Sequence, residues 1–234
     1  MNSENNFETF LYISEKKLSI SVQQNDQDTR FYEKSTILNE NLNGSQLSKL
    51  NEFLDSNIFR IEKSLKKFIK NIILIVDHQD LLRIKLSLKK NIYGNLLSRN
   101  TLSSLLKDAR NQIKENYDNK IITHMVIDRY MIDGKYFSLL PDNIKCKNVS
   151  LDLAFICLSK DFIKKLEQSL NKYQIKIKQV LSADYIETYF KDEKIDIYLK
   201  SQKIIQGHNK NEIILVPKKT ENKGFFEKFF NFFS

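Results

Sequence analysis

Five consecutive apolar residues, Ile72-Ile-Leu-Ile-Val76, mark a strand covered on both faces, so helices are expected on either side of a central sheet. Ahead of it, residues 10–14, 17–22 and 30–38 read as three short strands separated by polar turns, an antiparallel meander. A helix is predicted over 45–70, capped by Ser45, because Leu47, Leu50, Leu54, Ile58, Ile61, Leu65 and Phe68 recur at steps of three and four. Leu82, Ile84, Leu86 and Leu88 then alternate with Arg83, Lys85 and Ser87, as in a strand with one wet face. Helix 102–117, strands 121–133 and 149–158, helix 159–171, strand 175–181 and helix 182–190 follow. Residues 195–216 read as short β-prone pieces around Gly207. The order is mixed α/β.

The last residues break with this pattern. Wound at about 100° per residue, Phe225, Phe226, Phe229, Phe230, Phe232 and Phe233 share one side of a helix, and Glu227, Lys228, Asn231 and Ser234 the other. A polar stretch, 217–223, precedes it and reads as a linker. At about 15 Å, the helix is too short to cross a bilayer but long enough to lie in its interface. Phe225, Phe226, Phe229, Phe230, Phe232, Phe233, Lys223 and Lys228 are therefore the expected membrane-binding residues. Folding back onto the chain's own core, or docking in a partner's groove, are the other fates of such a stripe.

Composition adds little to this picture. The chain has 234 residues, 41 % of them apolar, enough for a sizeable core, and the formal charge of +9 accompanies lysines spread throughout. The first residues carry no leader-like run, and the longest apolar run, Leu153 to Leu158, is far below a membrane span. Two separated cysteines, Cys146 and Cys157, fit a reducing compartment. His78, His124 and His208 lack metal-ligand spacing, and no phosphate-cradling glycine motif or nucleophile elbow occurs. The expectation is a protein without catalytic residues, cofactor, metal or nucleic-acid partner.

Several stretches in order resemble the bacterial cell-division protein family FtsA, actin-like ATPases that hold the FtsZ ring at the inner membrane. Leu11-Tyr-Ile-Ser-Glu-Lys-Lys-Leu18 stands where that family has its first phosphate loop, Leu-Asp-Ile-Gly-Thr-Thr-Lys-Val. Ile122-Thr-His-Met-Val-Ile-Asp-Arg-Tyr-Met-Ile-Asp-Gly134 runs in register with Ile-Leu-His-Val-Ile-Pro-Gln-Glu-Phe-Ile-Val-Asp-Gly, keeping His124, an aromatic at Tyr130 and the Asp133-Gly134 turn. The Phe-rich tail is similar to the family's membrane-targeting helix. Tyr12 and Ser14, however, replace the loop's Asp and Gly, and no second phosphate loop follows residue 190.

The resemblance implies a partial actin-like (ribonuclease H-like) lobe over 7–78 and 151–216, an inserted α+β subdomain of SHS2 type over 79–150, a linker at 217–223 and the amphipathic helix at 224–234. It implies a nucleotide-free, non-catalytic adaptor on the cytoplasmic face of the inner membrane. Its partners would be the lipid surface and division proteins: FtsZ, another FtsA-like subunit or later components, with self-association among the options. The alternative is an actin-like scaffold of a pilus or secretion platform that binds a membrane partner's peptide.

Overall fold

The computed structural model describes residues 7–24, 30–38 and 47–213. The tail with its eight expected membrane-binding residues, the linker and Ser45 lie outside them. The predicted meander forms as β1 (Phe7–Ser14), β2 (Lys17–Gln24) and β3 (Arg30–Ile37), with β1 and β2 antiparallel and β2 and β3 antiparallel. Helix α1 (Leu47–Leu65) then returns the chain to β4 (Asn71–Asp77), which pairs parallel to β1. A parallel return needs such a crossover, and the apolar stripe of α1 packs it onto the sheet.

The helix stops short of the predicted residue 70. Lys66 adopts a left-handed φ of 53°, and the Lys67 amide donates to the Glu62 carbonyl, closing the helix end. Phe68, expected on the buried stripe, lies past that end and is exposed.

Strand β9 (Lys176–Ser182) joins β4 on its far side, also parallel, giving the order β3-β2-β1-β4-β9. Helices α1 and α3 (Lys160–Asn171) cover one face, where Leu11, Ile20, Leu74, Leu54, Ile58 and Leu166 form the core. Helices α4 (Ala183–Tyr189) and α5 (Ile197–Ile205) cover the other, over Phe10, Ile73, Ile75 and Leu181. The apolar run of β4 is thus buried on both sides, as its composition requires. Helix α5 occupies a stretch read from sequence as β-prone. Asp196 starts it, its carboxylate accepting from the Tyr198 and Leu199 amides at 2.8 and 3.2 Å. Asp196→Ala should therefore cost about 1 kcal/mol, a fall of roughly 2–4 °C in Tm by calorimetry.

A second sheet, β5-β8-β6-β7, is wholly antiparallel and is built from β5 (Leu82–Asn91), β6 (Lys120–Ile132), β7 (Lys135–Phe137) and β8 (Asn148–Ser159). Residues 151–159, assigned in sequence to the remainder of the lobe, pair in this sheet. Helix α2 (Arg99–Asn116), begun by the Ser98 side chain, lays Leu105, Ala109 and Ile113 against it. The Asp133-Gly134 turn joins β6 to β7, with both residues at positive φ, which glycine tolerates and aspartate accepts better than most.

Candidate ligand cleft and the joint beside it

In parallel α/β sheets, ligands settle outside the carboxyl ends of the strands. Here those ends are Ser14, Asp77 and Ser182, which the β1–β4 and β4–β9 pairings set side by side. Beside them lies a cleft of about 480 Å³, walled by Tyr12, Lys17, Asp77, Asp184, Glu187 and Asp196 among others. The Tyr12 hydroxyl donates to Asp77 Oδ2 at 3.1 Å. Burial, and then the Asp77 carboxylate, push the Tyr12 phenol up to about 12. Because the fold favours the protonated phenol, this contribution to stability is complete below pH 10.0 and is lost as pH rises towards about 12. Tyr12→Phe should remove a late-ionising phenol from an absorbance titration and flatten part of the loss of stability above pH 10.

The turn from β1 to β2 is closed on itself. Ser14 Oγ accepts from the amides of Lys17 at 3.0 Å and Lys16 at 3.4 Å, and donates to the Lys17 carbonyl at 3.2 Å. Those amides are the groups that a phosphate loop at this place would present to an anion. The facing helices add carboxylates: Glu187 pairs with the buried Lys200 at 2.5 Å, and Asp196 with Arg30, which also pairs with Glu33. Asp77 and Asp184 keep a negative wall, with Arg83 reaching Asp184 only at 3.9 Å. Among the described residues Lys17 is the one lysine on its wall, and Asp77 and Asp184 favour a cationic group over a polyphosphate there.

A second polar constellation joins the two sheets. Thr123 is the extra residue of a β-bulge in β6, so Ile122 and Met125 face the core under α2 while His124 turns the other way, towards β9. There His124 Nε2 accepts from the Ser182 amide at 2.9 Å, which leaves the proton on Nδ1, donated to Glu212 Oε1 at 2.7 Å. Tyr185 Oη donates to Glu212 Oε2 at 2.9 Å and accepts from Asn209 Nδ2 at 2.7 Å. Burial and the Glu212 carboxylate raise the Tyr185 pKa. Backbone bonds from Ile127 N to Asn211 O and from Ile213 N to Met125 O lay residues 211–213 along the edge of β6. His124 thus serves as a joint between sheets. Glu212 and Asn209 carry no motif that would have revealed this role in the sequence.

The remaining singled-out residues stay apart. His78 bonds its neighbour Asp80 through the Asp80 amide at 3.1 Å, a local turn. Both cysteines are free and buried in the core under α2, and burial pushes the Cys157 thiol up to about 11. Among the described residues no cluster of His, Cys, Asp and Glu is placed to hold a metal ion.

No protein-family model and no curated protein matches this sequence. Solved structures overlap it more coarsely. The PilM-PilN type IV pilus biogenesis complex overlaps at a TM-score of 0.47 with 10 % identity, over 78 % of this chain and 49 % of that one. The cytoplasmic domain of EpsL, an inner membrane component of the type II secretion system of Vibrio cholerae, gives 0.37 with 12 % identity, over 77 % and 57 %. A protein of Bacteroides thetaiotaomicron with actin-like ATPase fold and unknown function gives 0.33 with 14 % identity, over 81 % and 58 %. The chain thus spans about half to three-fifths of the length of these structures. The fold is that of a partial actin-like lobe. What places it there is its own strand order, a three-stranded meander continued by two parallel strands, together with the α/β/α layering.

Proposed function

We propose that this chain is a non-catalytic, actin-like adaptor that grips a partner protein and rests on the cytoplasmic face of the inner membrane through its Phe-rich tail. The observation that carries the reading is the closed turn after β1. Ser14 takes up the amides that would face a phosphate, and Tyr12 replaces a metal-positioning carboxylate with a phenol tied to Asp77. The carboxylate wall repels nucleotides and suits a lysine or arginine of a partner's segment. Among the described residues, no helix is long and apolar enough to cross a membrane; the proposed interfacial attachment rests on the spacing of the tail's phenylalanines in the sequence.

In its finer form, the adaptor serves cell division and recruits FtsZ-ring proteins, in keeping with the register of residues 122–134 and the amphipathic tail. A scaffold of a pilus or secretion platform is the second reading. The cleft itself favours it, since an open acidic groove needs only a short basic segment of a membrane partner. The two part on the tail: removal of residues 223–234 should abolish localisation at the membrane for the division adaptor and spare it for the scaffold.

Binding of a fluorescent ATP analogue with Mg²⁺ tests the shared core of the proposal. No saturable binding up to about 1 mM, a free energy of about 4 kcal/mol, is expected. Micromolar binding would overturn it.

A further inference from the structure

Helix α2 has two unlike flanks. Taking Ala109 as the centre of its buried side, Leu105 and Ile113 lie within about 40° of it, and Asp108 and Glu115 fall on one flank. Arg99, Lys107, Arg110 and Lys114 fall on the other, within about 80° of each other and along about 22 Å of helix. No acidic residue shares that flank. Lys160, at the start of α3, extends the same positive surface towards the lobe: it and Arg110 act on Lys114, whose pKa is lowered first by burial and then by these two cations. None of the five makes an ion pair within the described residues, and Nε of the half-buried Arg110 has no hydrogen-bond partner. Like charges gathered in this way repel one another, and an external anionic surface would relieve them.

The chain's course says which surface. Ile213, the last described residue, packs against the core beneath α2, and its amide donates to the Met125 carbonyl at 2.8 Å. Ten residues, 214–223, separate it from the predicted Phe-rich helix, a reach of at most about 36 Å. The tail is therefore tethered to the subdomain that carries the basic flank. Tyr117, at the C-terminal end of the same flank, is 36 % exposed and offers the amphipathic ring suited to a bilayer interface.

We infer that the flank Arg99–Lys107–Arg110–Lys114 with Lys160 is a docking surface for anionic phospholipid, holding the globular part flat on the bilayer beside the inserted tail. The inference rests on the membrane reading proposed above and adds the lipid class and the orientation. The tail supplies apolar affinity for any bilayer, and the flank supplies preference for anionic headgroups.

The test uses the full chain with neutral phosphatidylcholine vesicles and with vesicles containing about one-third phosphatidylglycerol. Lys107→Gln/Arg110→Gln/Lys114→Gln should lose tenfold or more in affinity for the anionic vesicles, at about a factor of five per charge, and bind neutral vesicles as the parent does. Lys85→Gln/Lys89→Gln/Lys90→Gln on β5 removes the same charge elsewhere and should lose less than about threefold. Equal losses for the two triples, or none for the α2 triple, would overturn the inference. So would tight RNA binding that the α2 triple abolishes while vesicle binding stays intact.

Deletion of 223–234 separates this inference from the proposal it rests on. If the deleted chain binds both vesicle types unchanged, the tail anchor fails, while anionic binding lost in the α2 triple still upholds the flank. Should the α2 triple not fold by circular dichroism, the exposed pair Lys114→Gln/Lys160→Gln carries the same expectation with a loss of about twenty-five-fold.

Discussion

Glu212→Ala is expected to destabilise the folded chain by about 3 kcal/mol, a fall of roughly 6–12 °C in Tm by calorimetry. The carboxylate accepts from two buried donors, His124 Nδ1–H and the Tyr185 hydroxyl. Alanine leaves both of these buried donors without their acceptor, at about 1–3 kcal/mol each. Glu212→Gln keeps one carbonyl oxygen, which satisfies one donor and turns an amide N–H towards the other, so about half the loss is expected. Hydrogen exchange gives a second readout that a merely surface role would not move. The Ser182 amide is held by His124 Nε2 at the end of β9, and its exchange should quicken in Glu212→Ala as the imidazole loses its orientation. Unchanged melting and unchanged Ser182 exchange would show that the two sheets hold together without this joint.

The joint also marks where the sequence stops being informative. Five apolar residues in a row announced β4 because burial on both faces leaves no polar position. The stripe of α1 was equally plain, apart from Phe68, which the left-handed turn at Lys66 places beyond the helix. His124 was visible as a residue but its direction was not, since a strict alternation would put it on the same face as Ile122. One extra residue, Thr123, reverses that, and bulges carry no strong signature of composition.

Helix α5 was hidden for a different reason. Ile197, Tyr198, Ile204 and Ile205 have side chains that favour strands, and the sheet beneath them decides otherwise. In the cleft, Tyr12 and Ser14 already stood out against a phosphate loop. Their consequences depend on partners that only the fold supplies: Asp77, 65 residues away, for Tyr12, and the geometry of a two-residue turn for Ser14.

Phe229→Asp/Phe230→Asp should release the full chain from anionic vesicles, with at least a hundredfold loss of affinity in a sedimentation assay. A phenylalanine half-buried among headgroups contributes on the order of 1 kcal/mol, so removing two would account for about 2 kcal/mol. Two new carboxylates in an anionic interface oppose the remaining four rings by about 1 kcal/mol each. The sum of about 4 kcal/mol corresponds to roughly a thousandfold, and the stated bound leaves room for partial rescue by a shift of the helix. Phe229→Leu/Phe230→Leu separates lipid from a shaped groove: a bilayer accepts leucine with little loss, whereas a pocket built for aromatic rings does not. Vesicle binding retained by the Asp pair would place the tail against protein. In that event the Asp pair should instead lower the Tm of the isolated chain if the stripe folds back on its own core, and leave it unchanged if the stripe occupies a partner's groove.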